Sequence, residues 1–155
     1  MLTELITTIL FRGLPEGFIH MYAMYALVNV KLDKKKYIFS ATLLAFIMVL
    51  VSNLPISYGI HSILIVMSMI ILATMINGLS IAHCISIAII NMIIQFLTEG
   101  INVILIQNVL NMEMAEVMTN PVSKVIYGIP SLIIFWGIIF TLGKINSKRQ
   151  RNKNV

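Results

Sequence analysis

The sequence has little charge and almost no cysteine. Only 11% of its 155 residues are charged, whereas 59% are apolar, a balance that a water-soluble domain of this length could not sustain. The single cysteine, Cys84, excludes an internal disulfide and a cysteine-based metal cluster. The composition therefore predicts a multi-pass membrane protein without a metal site.

The sequence also lacks the motifs that carry common catalytic chemistry. It contains no HExxH, no GxSxG and no phosphate-binding loop. His83 and Cys84 are neighbours in the sequence, so their side chains diverge on a helix instead of meeting. We expect a protein that is not an enzyme and that uses no cofactor.

Five apolar runs are long enough to cross a bilayer, whose hydrocarbon core is about 30 Å thick and takes roughly 20 helical residues to span. The breaks between the runs contain charged, proline, glycine and asparagine residues. The predicted spans cover residues 4–30, 37–55, 60–77, 81–109 and 122–143. The expected fold is all-α: one polytopic membrane helical bundle over residues 1–143, followed by a basic cytoplasmic tail over 144–155.

The basic residues indicate how the bundle is oriented. Most of them lie in two segments: Lys31, Lys34, Lys35 and Lys36 in the first loop, and Lys144, Lys148, Arg149, Arg151 and Lys153 in the tail. The positive-inside rule places both segments in the cytoplasm, and five spans put them on the same side. We therefore expect an outer N-terminus, a cytoplasmic C-terminus, and residues 111–120, with Glu113 and Glu116, outside. Such a tail can contact anionic lipid, and we expect it to fix topology and not to bind nucleic acid.

The first span carries polar residues in its middle. Arg12, Glu16 and His20 recur every four residues and would share one helical face. Pro15, with Gly13 and Gly17 two residues before and after it, predicts a kink or a short non-helical break. Two interpretations stay open. Arg12 and Glu16 could form a self-neutralising ion pair between helices, or the row could be a functional polar site, which is the usual meaning of intramembrane charge.

The fourth span carries a second polar row on one face. Its members are Asn91, Gln95, Glu99 and Asn102. Amides commonly form hydrogen bonds between membrane helices, so this row could be structural or could bind a ligand. In the last span, Gly128 and Pro130 predict a second kink that would widen an outward-facing cavity between spans one, four and five. His61, in a short outer turn, is expected to be an ordinary interfacial histidine.

The two rows match in depth. Arg12 and Glu99 each lie 18 residues from the presumed cytoplasmic ends, Val30 and Ile81, or about 27 Å along a helix. The same count pairs Arg12 with Glu99, Glu16 with Gln95, and His20 with Asn91. We expect Pro15 to disturb the local Arg12–Glu16 geometry, which would leave Glu16 available to an incoming polar or cationic group.

Four short motifs carry a family resemblance: GLPEGF (13–18), LPISYGIH (54–61), NP (120–121) and YGIPS (127–131). Together they resemble the N-terminal multi-pass membrane sensor regions of Agr-type and related peptide-sensing histidine kinases of Gram-positive bacteria. The resemblance implies a bundle that binds an extracellular peptide or small molecule in an outer cavity including Arg12, Glu16 and Glu99. No kinase domain follows Lys153 in this sequence, so we expect signalling through a separate partner or a homo-oligomer.

Two other classes of function fit the same residues. The chain could be the substrate-binding membrane component of a small-molecule transporter, which would also use kinked helices around a polar pocket. It could instead be a small oligomeric membrane adaptor or a pore, which would expose several polar faces to a common axis.

Overall fold

The computed structural model describes residues 9–55, 58–109 and 121–153, and within them the protein is helical without a strand. A π-helical turn, Ile9–Gly13, leads into α1 (Leu14–Val28). The remaining helices are α2 (Lys34–Ser52), α3 (Tyr58–Met75), α4 (Ile81–Val109) and α5 (Pro121–Lys153). The predicted all-α class is confirmed.

Local residues account for the turns at one end of the bundle. Asn29 adopts a left-handed conformation (φ 59°) and ends α1, as asparagine does at helix C-termini. Asp33 then caps α2, because its side chain accepts hydrogen bonds from the backbone N–H groups of Lys35 and Lys36. Gly78, with a φ of 69°, turns the chain from α3 into α4.

Three helices are long and apolar enough to cross a membrane: α2 over Lys34–Ser52, α4 over Ile81–Val109, and α5 over Val125–Arg149. The apolar part of α3, Gly59–Met75, is shorter than these three. The first predicted span begins outside the described residues, so the count of five stays a prediction. The predicted boundary at residue 143 is not a helix end, because α5 continues to Lys153. The lysine, arginine and glutamine residues there are good helix formers.

The structure shows how the prolines at the two predicted kinks, Pro15 and Pro130, are accommodated. Pro15 lies in the first turn of α1, directly after the π-helical turn, so the proline, which has no N–H to donate, lies where the helix type changes. The predicted break is therefore a local change of helix type. Pro130 lies inside α5, which continues through it without interruption, so a kink at this position stays a prediction.

Small residues bring α1 close to its neighbours. A Cβ atom added at Gly17 would lie 2.9 Å from the Ala41 carbonyl oxygen on α2 and 2.9 Å from the Ala45 Cβ. One added at Gly143 on α5 would lie 2.9 Å from the Ala26 Cβ. Close backbone approach at small residues is how helices pack within lipid, where no hydrophobic force drives them together. α1 is thus the central helix, and it also packs against α4.

The outer faces of the bundle are apolar. Large side chains that are more than half exposed occur on α2, α3, α4 and α5: Phe39, Phe46, Ile63, Leu97 and Ile133. Exposed apolar surface of this extent suits hydrocarbon and not water. With the long apolar helices, it identifies a membrane protein.

Both basic segments lie at one end of the bundle. Asn146, near the end of α5, donates hydrogen bonds to the backbone carbonyls of Ala26 and Leu27, near the end of α1. α2 begins with Lys34 a few residues later. The opposite end holds the Ser52 terminus of α2 and the start of α3, whereas residues 111–120, including Glu113 and Glu116, lie outside the described residues.

Candidate functional site

Three side-chain pairs join α1, or the turn before it, to α4, and we call them the cross-helix ladder. They are Arg12 Nη2 to Glu99 Oε1 at 3.4 Å, Gln95 Nε2 to Glu16 Oε1, and Asn91 Nδ2 to His20 Nδ1 at 2.9 Å. These are the three pairs that depth along antiparallel helices predicts, so that prediction is confirmed.

Gln95 connects the two carboxylates of the ladder. Its Nε2 donates to Glu16 Oε1 and also to Glu99 Oε1, the latter at 3.2 Å. A primary amide has two N–H donors, and each is directed at a carboxylate. The amide Oε1 of Gln95 is buried and has no hydrogen-bond partner among the described groups. One neutral side chain therefore holds two acidic groups close together.

Arg12 lies between the same two carboxylates. Its Nε is 3.9 Å from Glu16 Oε2, and its Nη2 is 3.4 Å from Glu99 Oε1. The expectation that Pro15 would disturb a local Arg12–Glu16 pair is wrong, because the two side chains approach to 3.9 Å although Arg12 lies in the π-helical turn and Glu16 in α1. Glu16 accepts from Gln95 through Oε1 and also lines the cavity, so its availability to an incoming group stays a prediction.

A cavity of about 440 Å³ adjoins the ladder. Five of the seven predicted site residues line it: Arg12, Glu16, His20, Gln95 and Glu99. Its apolar wall consists of residues such as Met48, Ile65, Met69, Met92 and Phe96. The side chain of Glu99 is 39% exposed, whereas that of Glu16 is 11% exposed, so Glu99 is the more open of the two acids.

The cavity lies between the α1 region, α2, α3 and α4. The expected position between spans one, four and five is wrong, because none of the described lining residues belongs to α5. α5 instead closes the other side of Arg12: a Cβ added at Gly128 would lie 3.0 Å from Arg12 Nη1. The absence of a side chain at Gly128 allows this close packing.

The remaining two predicted site residues support the cavity from outside its lining. Asn91 on α4 is fully buried, and its side chain forms a hydrogen bond with the buried His20 ring on α1. Asn102 donates to the Tyr127 carbonyl at 2.7 Å and so joins α4 to α5. The Oδ1 atoms of both asparagines are buried without a described partner. In this structure both residues position helices or side chains.

Sequence reasoning missed three polar lining residues, Ser52, His61 and Ser62. His61 is not simply interfacial, because its Nε2 lies 3.1 Å from the Ser52 hydroxyl across the α2–α3 connection. The same depth count that paired α1 with α4 places the end of α2 and the start of α3 level with Glu99. That count could have found them.

The chemistry of the lining suits a polar ligand better than a metal ion. Within the described ranges, no group of three or more histidine, cysteine, aspartate or glutamate side chains is arranged to hold a metal ion. Arg12 also lies between the two carboxylates, so they are not free to share one metal ion as ligands.

Comparison of the chain with protein-family models, with curated proteins and with solved structures finds no match. The resemblance to Agr-type sensor regions therefore stays a prediction that rests on short motifs.

Proposed function

We propose that this protein is a receptor-like integral membrane protein that binds an extracellular signal in the cavity beside the cross-helix ladder and acts through a partner protein or a second copy of itself. The observation that supports the proposal is the placement of intramembrane charge. Arg12, Glu16 and Glu99 line an open cavity, and charged groups at membrane depth are costly enough that they commonly mark a site.

The cavity lies toward the end of the bundle that we assign to the outside. Its lining includes Ser52 and Leu54 at the end of α2 and His61 near the start of α3. The basic segments lie at the opposite end, which the positive-inside rule assigns to the cytoplasm. In the five-span arrangement, the ladder therefore faces a signal that arrives from outside.

The opposite end of the bundle is closed by hydrogen bonds. The Tyr25 hydroxyl donates to Asn77 Oδ1 at 2.6 Å, and Asn77 Nδ2 donates to the Ser40 hydroxyl at 3.0 Å. These contacts join α1, α2 and the α3–α4 turn. A cavity that is open at one end and packed at the other favours binding over conduction through a single-chain pore.

The dimensions of the cavity favour a ligand site over a clamp. Its volume of about 440 Å³ falls in the range of ligand pockets, about 300–1,000 Å³. A structural clamp would enclose its charges, but the Glu99 side chain remains 39% exposed.

The test uses the purified chain in nanodiscs and a panel of amino acids, short peptides, organic acids, amines and sugars. Binding is measured as a saturable shift of the thermal unfolding midpoint. Ser62→Trp fills the cavity lining, and its neighbour Ile63→Trp, at a 60% exposed position, is the matched control. We expect binding by the original chain and by Ile63→Trp but not by Ser62→Trp. Failure of every panel compound, or equal binding by both variants, would contradict a site in this cavity.

A transporter component would use the same cavity, but it would move the ligand across the membrane. Proteoliposomes with the ligand that the panel identifies separate the two. A receptor binds the ligand without accumulating it in the lumen, whereas accumulation that Ser62→Trp abolishes would favour the transport interpretation.

A further inference from the structure

The charge of the cavity lining is unbalanced. Among the described lining residues, the charged side chains are one guanidinium, that of Arg12, and two carboxylates, those of Glu16 and Glu99; His20 and His61 are also present. These described residues bring together two carboxylates and one guanidinium, an excess of one acidic group. In a partly dehydrated site such an excess is costly unless a cation balances it.

The hydrogen-bonding groups are unbalanced in the same sense. Arg12 and Gln95 direct their donors at the carboxylates. Both described contacts to Glu99 use its Oε1, and no described residue donates a hydrogen bond to its Oε2. The Oε1 of Gln95 is a second acceptor without a partner among the described residues, but it is buried away from the cavity surface. The site therefore has an acceptor to offer and needs donors.

The rest of the lining is apolar and adaptable. Met48, Met69 and Met92 come from three different helices, with Phe96 beside them. Methionine side chains adapt to ligand shape and make favourable contacts with aromatic rings. This wall suits the hydrocarbon body of a ligand whose polar head lies at Glu99.

We infer that the cavity binds an organic ammonium ion with an apolar body, whose N–H donors contact the free Glu99 oxygen. The inference deepens the proposed function, on which it rests, by naming the chemical class of the ligand. Glu99 is the principal contact because it is the more exposed acid, and Glu16 and Gln95 lie behind it.

The test compares three probes of similar shape: phenethylammonium, 3-phenylpropionate and 2-phenylethanol. Binding is measured by calorimetry on the full chain in nanodiscs of zwitterionic lipid, so that the bilayer does not select by charge. We expect saturable binding of phenethylammonium and at least about tenfold weaker binding of the other two, because a charge-assisted hydrogen bond is lost.

Substitutions test which residue is responsible for the preference for the ammonium probe. Glu99→Gln should weaken phenethylammonium binding by about tenfold or more and reduce its preference over 2-phenylethanol. Glu16→Gln is a second variant in case Glu99→Gln does not fold, and it should reduce the same preference. Asp33→Asn is the charge-matched control, because Asp33 caps α2 at the other end of the bundle and asparagine caps equally well. The preference of Asp33→Asn for phenethylammonium over 2-phenylethanol should be unchanged.

Several results would overturn the inference: tighter binding of the carboxylate or the alcohol, no binding of phenethylammonium, or an ammonium preference that survives both glutamine variants. The proposed function fails separately. If an anionic or neutral compound from the panel binds in a manner that Ser62→Trp abolishes, the receptor proposal stands and the ammonium assignment falls.

Discussion

Gly17 offers a sharp test of the packing that brings α1 and α2 together beside the cavity. In Gly17→Ala, the new Cβ would lie 2.9 Å from three α2 atoms: the Ala41 carbonyl oxygen, the Ala45 Cβ and the Ala45 backbone nitrogen. Two of these belong to the backbone and the third is a methyl group, so none can rotate away. The helices must separate, and overpacking of this kind costs about 1–3 kcal/mol.

A matched variant isolates that cost. Gly137 also lies inside a helix, α5, and a Cβ added there meets nothing within 4 Å. Both substitutions gain helix propensity of up to about 1 kcal/mol, and this gain cancels in the comparison. The free energy of unfolding of Gly17→Ala should therefore be lower than that of Gly137→Ala by about 1–3 kcal/mol.

The assay is reversible unfolding in mixed micelles, in which an increasing fraction of a denaturing detergent is followed by circular dichroism. The same two proteins are also tested for binding of the panel, because separation of α2 from α1 would move the Met48 and Val49 wall of the cavity. Equal stability of Gly17→Ala and Gly137→Ala would refute the close α1–α2 packing.

Three further predictions concern the ladder and its surroundings. Arg12→Met and Glu99→Gln should be non-additive, with a coupling of about 1 kcal/mol in a double-mutant cycle, because the two groups are in contact but partly exposed; additive losses would contradict the contact. Asn91→Leu should lower the free energy of unfolding by about 1–3 kcal/mol, since it leaves the buried His20 ring without its partner, and adding His20→Phe should recover part of that loss. Gly128→Ala should cost less than about 1 kcal/mol, because its Cβ would meet only the end of the flexible Arg12 side chain; a loss as large as that of Gly17→Ala would show that Arg12 cannot move.

The pairing of Arg12, Glu16 and His20 with residues of α4 was predictable because helical periodicity and the rise per residue fix both face and depth. The position of the cavity was not. It depends on which helix approaches which, and this is set by contacts such as Gly17 against Ala41 that leave no periodic signal in the sequence. A glycine in a membrane helix does not by itself predict close packing: Gly17 lies against a neighbouring helix, whereas an added Cβ at Gly137 meets no atom within 4 Å.

Helix ends were predictable to a similar degree. The turn at Gly78 was recognisable and the predicted start of α4 at Ile81 matches. The second span was predicted from residue 37, whereas α2 begins at Lys34 because Asp33 caps it. The last predicted span ends at residue 143 because hydropathy falls at Lys144, whereas the helix α5 continues to Lys153. Hydropathy reports where a helix leaves lipid and not where it ends.

Cysteine labelling measures directly whether the cavity beside the cross-helix ladder is open to the outside of the cell. In a Cys84→Ala background, which removes the single buried cysteine, Glu99→Cys and Lys35→Cys are treated in intact cells with a membrane-impermeant maleimide. If the cavity faces outward, Glu99→Cys is labelled from outside, and Lys35→Cys is labelled only after the cells are permeabilised. Labelling of Lys35→Cys in intact cells, or protection of Glu99→Cys there, would contradict an outward-facing cavity.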